Sequence, residues 1–125
     1  MKNLFLLLVF LSLHSQSLYS NKADSLRLTW ENEKLTDSLR FGALDEFYNL
    51  FSLVFPDSTL KVLDYYHDLA ISKGADRQVY RAAVRKGNIL RLQDLIEEAR
   101  THYYEALIVA KEMNNARLEA IIIGN

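Results

Sequence analysis

The sequence predicts an all-α protein built from helix pairs that stack as a repeat array. Apolar residues recur at three- and four-residue intervals through most of the chain, which is the period of an amphipathic helix. The stretch from Tyr65-Tyr66 to Gly87-Asn88 returns, with a one-residue difference in length, from Tyr103-Tyr104 to Gly124-Asn125. Self-similarity with a period in the range of about 20–50 residues is typical of repeat arrays, in which each helix pair buries its apolar face against its neighbours.

Composition agrees with one helical domain and argues against several kinds of partner. Half of the 125 residues are hydrophobic and a quarter are charged, with one Pro and four Gly. The formal net charge of −1 gives no electrostatic reason to expect nucleic acid or an anionic membrane surface. The chain has no Cys, so neither a disulfide framework nor thiolate chemistry is expected.

The first twenty residues predict export from the cytoplasm. Lys2 precedes an apolar run from Leu4 to Leu13, and residues suited to cleavage follow at Ser15-Gln16-Ser17 and Leu18-Tyr19-Ser20. A run of about ten residues reaches only about 15 Å, half of the hydrocarbon core of a bilayer. A signal peptide over 1–20 is therefore favoured over a membrane span. An apolar first helix of the fold is the remaining alternative.

The next segment, 21–36, is predicted to be a polar amino-terminal segment, and its apolar residues are poorly periodic. It contains the only Trp of the chain, Trp30, and the tetrapeptide Asp24-Ser25-Leu26-Arg27, which returns at Asp37-Ser38-Leu39-Arg40. We interpret each Asp-Ser as a helix start, because both side chains accept hydrogen bonds from the free amides of a first turn. Asp57-Ser58 is a third case.

Five helices are predicted to follow, with approximate bounds 37–53, 57–73, 77–92, 95–113 and 115–125. Pro56 should push Phe55 out of helical geometry and so end the first of them. Gly74 should end the second as a left-handed cap. Asp94 is expected to open the fourth helix and Asn115 the fifth.

The third and fourth helices resemble one tetratricopeptide repeat (TPR). Gly87 stands where that family keeps a small residue in the first helix, and Ala99, Tyr103 and Ala106 follow at the family's spacing. The resemblance implies a right-handed solenoid in which small residues let two helices approach while Tyr103 fills the space beside them. The expected repeat-packing residues are Ala83, Gly87, Leu90, Ala99, Tyr103, Ala106 and Gly124.

The chain departs from the family's pattern at two places. The Trp-x2-Leu-Gly-x2-Tyr signature is present as Ala83-x2-Lys86-Gly87-x2-Leu90, and the late helix-breaking Pro is replaced by Lys111. The interpretation divides the repeat region, 37–125, into a degenerate repeat, a best repeat and the first helix of an interrupted repeat. Their approximate bounds are 37–74, 77–113 and 115–125.

The order of motifs ahead of the repeats resembles a narrower group. An exported leader followed by Asp-Ser-Leu, Trp, Asp-Ser-Leu-Arg and Phe-Pro-Asp-Ser is similar to the amino-terminal sensory region of bacterial membrane-anchored signalling proteins, of the adenylate/guanylate cyclase or histidine kinase type. In those families a membrane helix and a catalytic domain follow the repeats. The resemblance implies a non-catalytic, periplasmic or otherwise extracytoplasmic sensory scaffold, anchored to the membrane only through a downstream segment. A free-standing secreted adaptor and an all-α enzyme are the alternatives.

Catalytic, cofactor and metal sites are not expected from the sequence. His67 and His102 each neighbour a Tyr and are interpreted as partly exposed packing residues, since no His-Glu-x-x-His motif or ligand-spaced carboxylate accompanies them. The adjacent pairs Glu97-Glu98 and Asp45-Glu46 point to different sides of a helix, which does not suit shared acid–base work. The chain also lacks a phosphate-binding glycine loop and a nucleophile elbow.

The one polar pattern with a predicted role is basic. Arg77, Arg81 and Arg85 are four residues apart and share one stripe of the third helix. A ligand groove formed by Arg81, Asn88 and Arg91 is the hypothesis, with a protein or an acidic peptide as ligand. A solvated stripe paired with nearby acids is the alternative.

The carboxy-terminal edge is expected either to fray after about Asn114 or to mediate self-association. Leu118, Ile121 and Ile122 form an apolar face on the fifth predicted helix, and an uncapped end of a repeat array is a sticky surface.

Overall fold

The computed structural model describes residues 2–124, and all regular secondary structure in that range is helical. The helices are α1 (Lys2–Glu31), α2 (Asp37–Phe51), α3 (Pro56–Ser72), α4 (Asp76–Leu92), α5 (Ile96–Glu112) and α6 (Ala116–Ile123). The predicted all-α class is confirmed. Met1 of the predicted signal peptide and Asn125 of the second Gly-Asn pair lie outside the described residues. The chain divides into two compact units, Met1–Phe47 and Tyr48–Asn125.

In the first unit α1 continues without a break from the apolar run into the poorly periodic segment and ends at Glu31. The interpretation of Asp24-Ser25 as a helix start is therefore wrong. No Gly or Pro interrupts the sequence there, and the Thr29 hydroxyl donates to the Ser25 carbonyl one turn earlier, at 3.2 Å. The segment 21–36 is polar by composition, yet its first part forms the packing end of a long helix.

That packing end is held by an aromatic contact and a buried hydrogen bond. Leu26 and Trp30 are four residues apart, so they share a face, and both are buried. The Trp30 ring meets Phe47 edge-on at a centroid distance of 5.5 Å. The buried Arg40 guanidinium donates to the Trp30 carbonyl at 2.7 Å, which satisfies one of the free carbonyls at the end of α1.

The second unit is a series of helices that begin at a strictly regular interval. The helices α3 to α6 start at Pro56, Asp76, Ile96 and Ala116, so the interval between successive starts is constant, and a three-residue turn separates each helix from the next. Each packs against its neighbour in sequence. Helices that lie along each other after so short a turn must run antiparallel.

Alternate helices are also connected. His67 on α3 contacts the Glu105 carboxylate on α5, and the Tyr80 hydroxyl on α4 donates to the Leu118 carbonyl on α6 at 3.2 Å. An apolar core joins α4, α5 and α6. Its buried members are Tyr80, Ala83, Ala106, Ala110 and Ile122. Four helices are thereby tied both to the next helix and to the next but one.

The three turns of this unit have the same backbone design. Gly74, Asp94 and Asn114 all adopt left-handed geometry, with φ of 60°, 63° and 55°. Each turn makes the pair of backbone hydrogen bonds of a Schellman motif, at 2.9 to 3.1 Å. The predicted cap at Gly74 is confirmed. The prediction that Asp94 opens α5 is wrong. Asp94 instead belongs to the end of α4, because the left-handed residue of this motif follows the helix that it ends.

Helix starts agree with the sequence in part. Phe55 has φ −129° and ψ 66°, outside the helical region as Pro56 requires, and α3 begins at Pro56. Asn115 opens α6 as predicted, with its side chain accepting from the Leu118 amide at 3.2 Å. The cap of α2 is not supplied by Asp37-Ser38. The hydroxyl oxygen of the preceding Thr36 accepts from the Leu39 amide at 3.3 Å.

The sequence repeat and the helix repeat differ in length. One helix pair extends from the start of α3 to the start of α5, and the offset between the two Tyr-Tyr motifs is two residues shorter than that. A difference of two residues is a rotation of about 200° on a helix, which moves a side chain to the opposite face. Tyr66 is accordingly fully buried while its apparent counterpart Tyr104 is 60% exposed. The Tyr-Tyr duplication therefore does not mark equivalent positions.

Candidate binding surfaces on the fourth and fifth helices

The crossing of α4 and α5 is built on Gly87 and Tyr103. A Cβ added to Gly87 would lie 2.6 Å from Cε1 of the Tyr103 ring and 2.8 Å from its Cδ1. The Tyr103 hydroxyl donates to the Oδ1 of Asn88 at 2.7 Å, which holds the ring against the glycine. Gly87 is thus the residue whose missing side chain makes room for Tyr103.

The other expected packing residues divide into a buried group and one exception. The buried ones are Ala83, Leu90, Ala99 and Ala106. Gly124 is exposed and follows the last residue of α6, with φ −76°. Gly124 is closer to the start of α6 than Gly87 is to the start of α4, by about one helical turn. The two glycines are therefore not at equivalent positions, because the offset between them is shorter than one helix pair. No helix crossing lies at Gly124 within the described chain.

A basic groove runs along α4. Its cavity has a volume of about 290 Å³. The name basic groove is used for the surface that lines this cavity. Its residues are Tyr48, Arg77, Tyr80, Arg81, Val84, Arg85, Asn88 and Leu118. The predicted stripe of arginines does line one surface, since the spacing of four residues places all three guanidinium groups on one side of the helix.

Arg85 is held within this groove by aromatic rings. Its guanidinium carbon lies 4.4 Å from the centroid of Tyr48 and 5.9 Å from that of Tyr66. A guanidinium over the face of an aromatic ring is attracted by the ring quadrupole and loses side-chain freedom. Arg85 therefore presents its charge in a defined orientation.

The predicted ligand groove is split in two by the structure. Arg81 and Asn88 line the basic groove, but Arg91 lines a second surface on the other side of Tyr103. We call this the apolar groove; its cavity has a volume of about 320 Å³. It is lined by Arg91, Ile96, Ala99, Arg100, Tyr103, Tyr104, Leu107, Ile122 and Ile123. The three-residue spacing places Arg91 beside Asn88 along the helix, yet Tyr103 packs between their two surfaces.

Tyr103 and Asn88 separate the two grooves. Burial raises the pKa of Tyr103, and the neighbouring Arg91, through its charge and a side-chain hydrogen bond, opposes that rise. The phenol thus stays protonated and donates to the Asn88 amide oxygen. Because that oxygen is engaged, the NH2 of Asn88 is the end of the amide left to face a ligand in the basic groove.

A polar cluster that the sequence did not predict lies where α3, α4 and α5 meet. The side chain of Lys86 is only 9% exposed, and its Nζ lies 2.7 Å from the Oδ1 of Asp64, which is largely exposed. One signal pointed to this position. Lys86 lies among apolar residues on the buried face of α4, and a Lys at such a position needs a partner.

Both histidines of the second unit belong to this cluster. His67 contacts the Glu105 carboxylate, and the Nδ1 of His102 lies 3.9 Å from the same carboxylate. That Nδ1 is buried and has no hydrogen-bond partner among residues 2–124. Burial lowers the pKa of His102, and the charge of Lys86 lowers it further. The exposed fractions of these histidine side chains, 15% and 30%, fit residues packed between helices.

Two further findings bear on chemistry and location. Within residues 2–124 no group of three or more His, Asp or Glu side chains is placed to hold a metal ion. One helix of the described chain, α1, is long and apolar enough to cross a membrane, and a signal sequence at the amino terminus meets the same criterion. The apolar side chains from Leu4 to Leu13 are all exposed.

The chain was also compared with known proteins. No protein-family model, no curated protein and no solved structure matches it.

Proposed function

We propose that this chain is a non-catalytic protein-interaction and sensory scaffold of the TPR type. In this proposal it is exported and forms the amino-terminal part of a larger bacterial signal-transduction protein, whose effector domain is of the cyclase or histidine kinase type. Helices that recur at one constant interval with the same turn support a stacked array. The exposed apolar half of α1 supports a leader or an anchor.

The basic groove carries the proposal of a ligand. Three arginines line one surface, and one of them is oriented by aromatic stacking on Tyr48. A guanidinium has five donors in a planar fork that matches a carboxylate. With the NH2 of Asn88 added, the surface offers several hydrogen-bond donors and positive charge. An acidic peptide in extended form is the ligand that fits this chemistry.

Peptide titration tests the proposal. A fluorescent Glu-rich peptide should bind the chain, with affinity that falls as salt is added because the contacts are ionic. Arg77→Gln and Arg81→Gln, each made alone, should weaken binding about tenfold, the effect of losing roughly 1.4 kcal/mol. Arg117→Gln, on the exposed first turn of α6, removes the same charge away from the groove and serves as the matched control.

Two results would contradict binding of an acidic peptide in the basic groove. Equal loss of affinity in Arg117→Gln would mean that the peptide responds only to net charge and not to the groove. Equal binding of the Glu-rich peptide and its Gln-rich counterpart would refute an acidic ligand. Circular dichroism of each variant must match that of the parent, since Arg81 has contacts of its own.

A further inference from the structure

The apolar groove is the counterpart of a groove that α5 itself fills. Because helices begin at one constant interval and the turns are alike, residues separated by the length of one helix pair occupy equivalent positions. On this register α3 and α4 correspond to α5 and α6. The α5 helix packs along α4 and contacts α3 through Glu105 and His67. A helix in the corresponding position would pack along α6 and contact α5.

Two pairs of equivalent residues show the correspondence at atomic scale. Ala83 corresponds to Ile123; Ala83 is fully buried in one cluster with two alanines of α5, whereas Ile123 is 75% exposed. His67 corresponds to Leu107; His67 touches α5, whereas Leu107 lines the apolar groove. The two positions that contact α5 in the filled groove thus carry larger apolar side chains in the apolar groove.

The residues that line the apolar groove indicate the chemistry of a helix that would fit it. Leu107 stands where His67 contacts the Glu105 carboxylate, so an apolar residue replaces Glu105 on the incoming helix. Tyr104, 60% exposed, stands where α3 carries an Asp. Arg91 and Arg100 add positive charge to an otherwise apolar lining. A carboxylate on the incoming helix would complement them.

We propose that the apolar groove binds one further amphipathic α-helix, in the register of α5. This helix carries small residues on its apolar face, as α5 does with Ala99, Ala106 and Ala110, and an acidic residue that reaches the two arginines. The packing of α5 on α4 is thereby continued on α6. The proposal does not depend on the basic groove, because Tyr103 and Asn88 separate the two surfaces. A second copy of the chain, expected from the sequence at this edge, is the rival occupant.

A synthetic peptide based on α5 provides the probe. It spans Ile96–Glu112 with Glu105→Leu, so that an apolar residue meets Leu107. Added to the isotope-labelled full chain, it should bind with a dissociation constant below about 1 mM. Amide signals of Leu107 and Ile123 should shift. The unmodified α5 peptide should bind at least about threefold more weakly, because its Glu105 carboxylate would be buried against Leu107.

Paired substitutions on the chain locate the contact. Ile123→Asp should lower the affinity at least about tenfold, whereas Ile108→Asp, at a residue that is 57% exposed on α5 and does not line the groove, should leave it unchanged. Arg100→Glu should weaken binding, and Arg117→Glu should not. All four positions are exposed, so the variants are expected to fold, and circular dichroism checks this.

Three results would overturn the proposal. The first is an absence of binding at about millimolar peptide. The second is a set of shifted signals confined to the basic groove. The third is a dimer in sedimentation that Ile123→Asp dissociates and the peptide does not, which would identify a second copy of the chain as the occupant.

Discussion

At the scale of single residues, Gly87 decides how closely α4 and α5 approach. An added methyl group would enter the Tyr103 ring, whose hydroxyl is tied to Asn88, so the ring cannot move without breaking that hydrogen bond. Gly87→Ala should therefore destabilise the fold by about 1–2 kcal/mol, despite the gain in helix propensity. Gly42→Ala is the matched control. A Cβ there meets nothing within 4 Å, so this change should stabilise by about 0.5–1 kcal/mol.

Urea unfolding of both variants measures the contrast. Replacing Tyr103 by Leu in the Gly87→Ala background should recover part of the loss, since the obstructing ring is then gone. If both Gly→Ala variants gain stability equally, Gly87 is not at a crossing.

His102 should make stability depend on pH in one direction. Burial first, and Lys86 second, lower its pKa from the usual 6.5, so the folded state binds the proton less readily than the unfolded chain. The contribution of His102 is then complete above about pH 6.5 and is lost as the pH falls below that value. Asp64 and His67 of α3, Lys86 of α4 and Glu105 of α5 are the other charged or titratable groups that face this position.

The measurement is the loss of unfolding free energy between about pH 7.5 and about pH 5.5. His102→Gln should lose less than the parent over that interval, because it has no proton to accept. A His102→Gln curve that falls as steeply as the parent would mean that other groups account for the pH dependence.

At the scale of elements, the three left-handed turn residues set the constant interval between helix starts. Non-glycine residues in that conformation are strained by roughly 1 kcal/mol, and Asp or Asn tolerate it better than Ala. Asp94→Gly should therefore stabilise by about 0.5–1 kcal/mol, and Gly74→Ala should destabilise by about 1 kcal/mol. Thermal unfolding of the two variants gives opposite shifts if the shared turn geometry is correct. Gly74→Asn, expected to lie between Gly and Ala, serves as the intermediate control.

Helix bounds belong to the same scale, and most of them follow from local chemistry. Pro56, Gly74 and Asn115 each act on the backbone within four residues, and the sequence predicted the role of each. The failures at Asp24 and Asp94 have a common cause. Asp occurs at helix starts, in helix interiors and in left-handed turns, and only the packing of Trp30 or the preceding helix end decides among them.

At the scale of the whole molecule, the prediction concerns whether the apolar half of α1 is removed from the mature chain. The apolar half of the helix is exposed, while its far end packs through Leu26 and Trp30. We expect the mature chain to lack the residues before about Ser20, because Lys2 and the following apolar run match a signal peptide. Mass spectrometry of chain recovered from a bacterial envelope reads this directly. Leu8→Arg, which places a charge in the apolar run at a cost of about 2.5–3.5 kcal/mol, should abolish processing.

Two results would contradict cleavage in different ways. An intact chain in the membrane fraction would make α1 an anchor. An intact chain in the soluble cytoplasm would refute export altogether.

The candidate site could be predicted from the sequence only where one helix supplies it. The arginine stripe of α4 is a matter of four-residue spacing within a helix, and it does line one groove. Arg91, predicted to share that groove, lines the apolar groove, because the Tyr103 side chain of α5 lies between the two cavities. Lys86 is visible as a Lys among apolar residues of α4, but its partner Asp64 lies on the preceding helix, and no local pattern connects them.

By itself the sequence determined the all-α class, most helix ends, the apolar amino-terminal run and the small residue at Gly87, since these depend on interactions within a few residues along the chain. The tertiary structure alone decided the true length of the helix pair, the division of the basic groove from the apolar groove and the polar cluster around His102. The physical reason is rotational. Successive residues turn by about 100° on a helix, so an offset of two residues moves a side chain from a buried face to an exposed one. A repeated motif such as Tyr-Tyr does not reveal that offset.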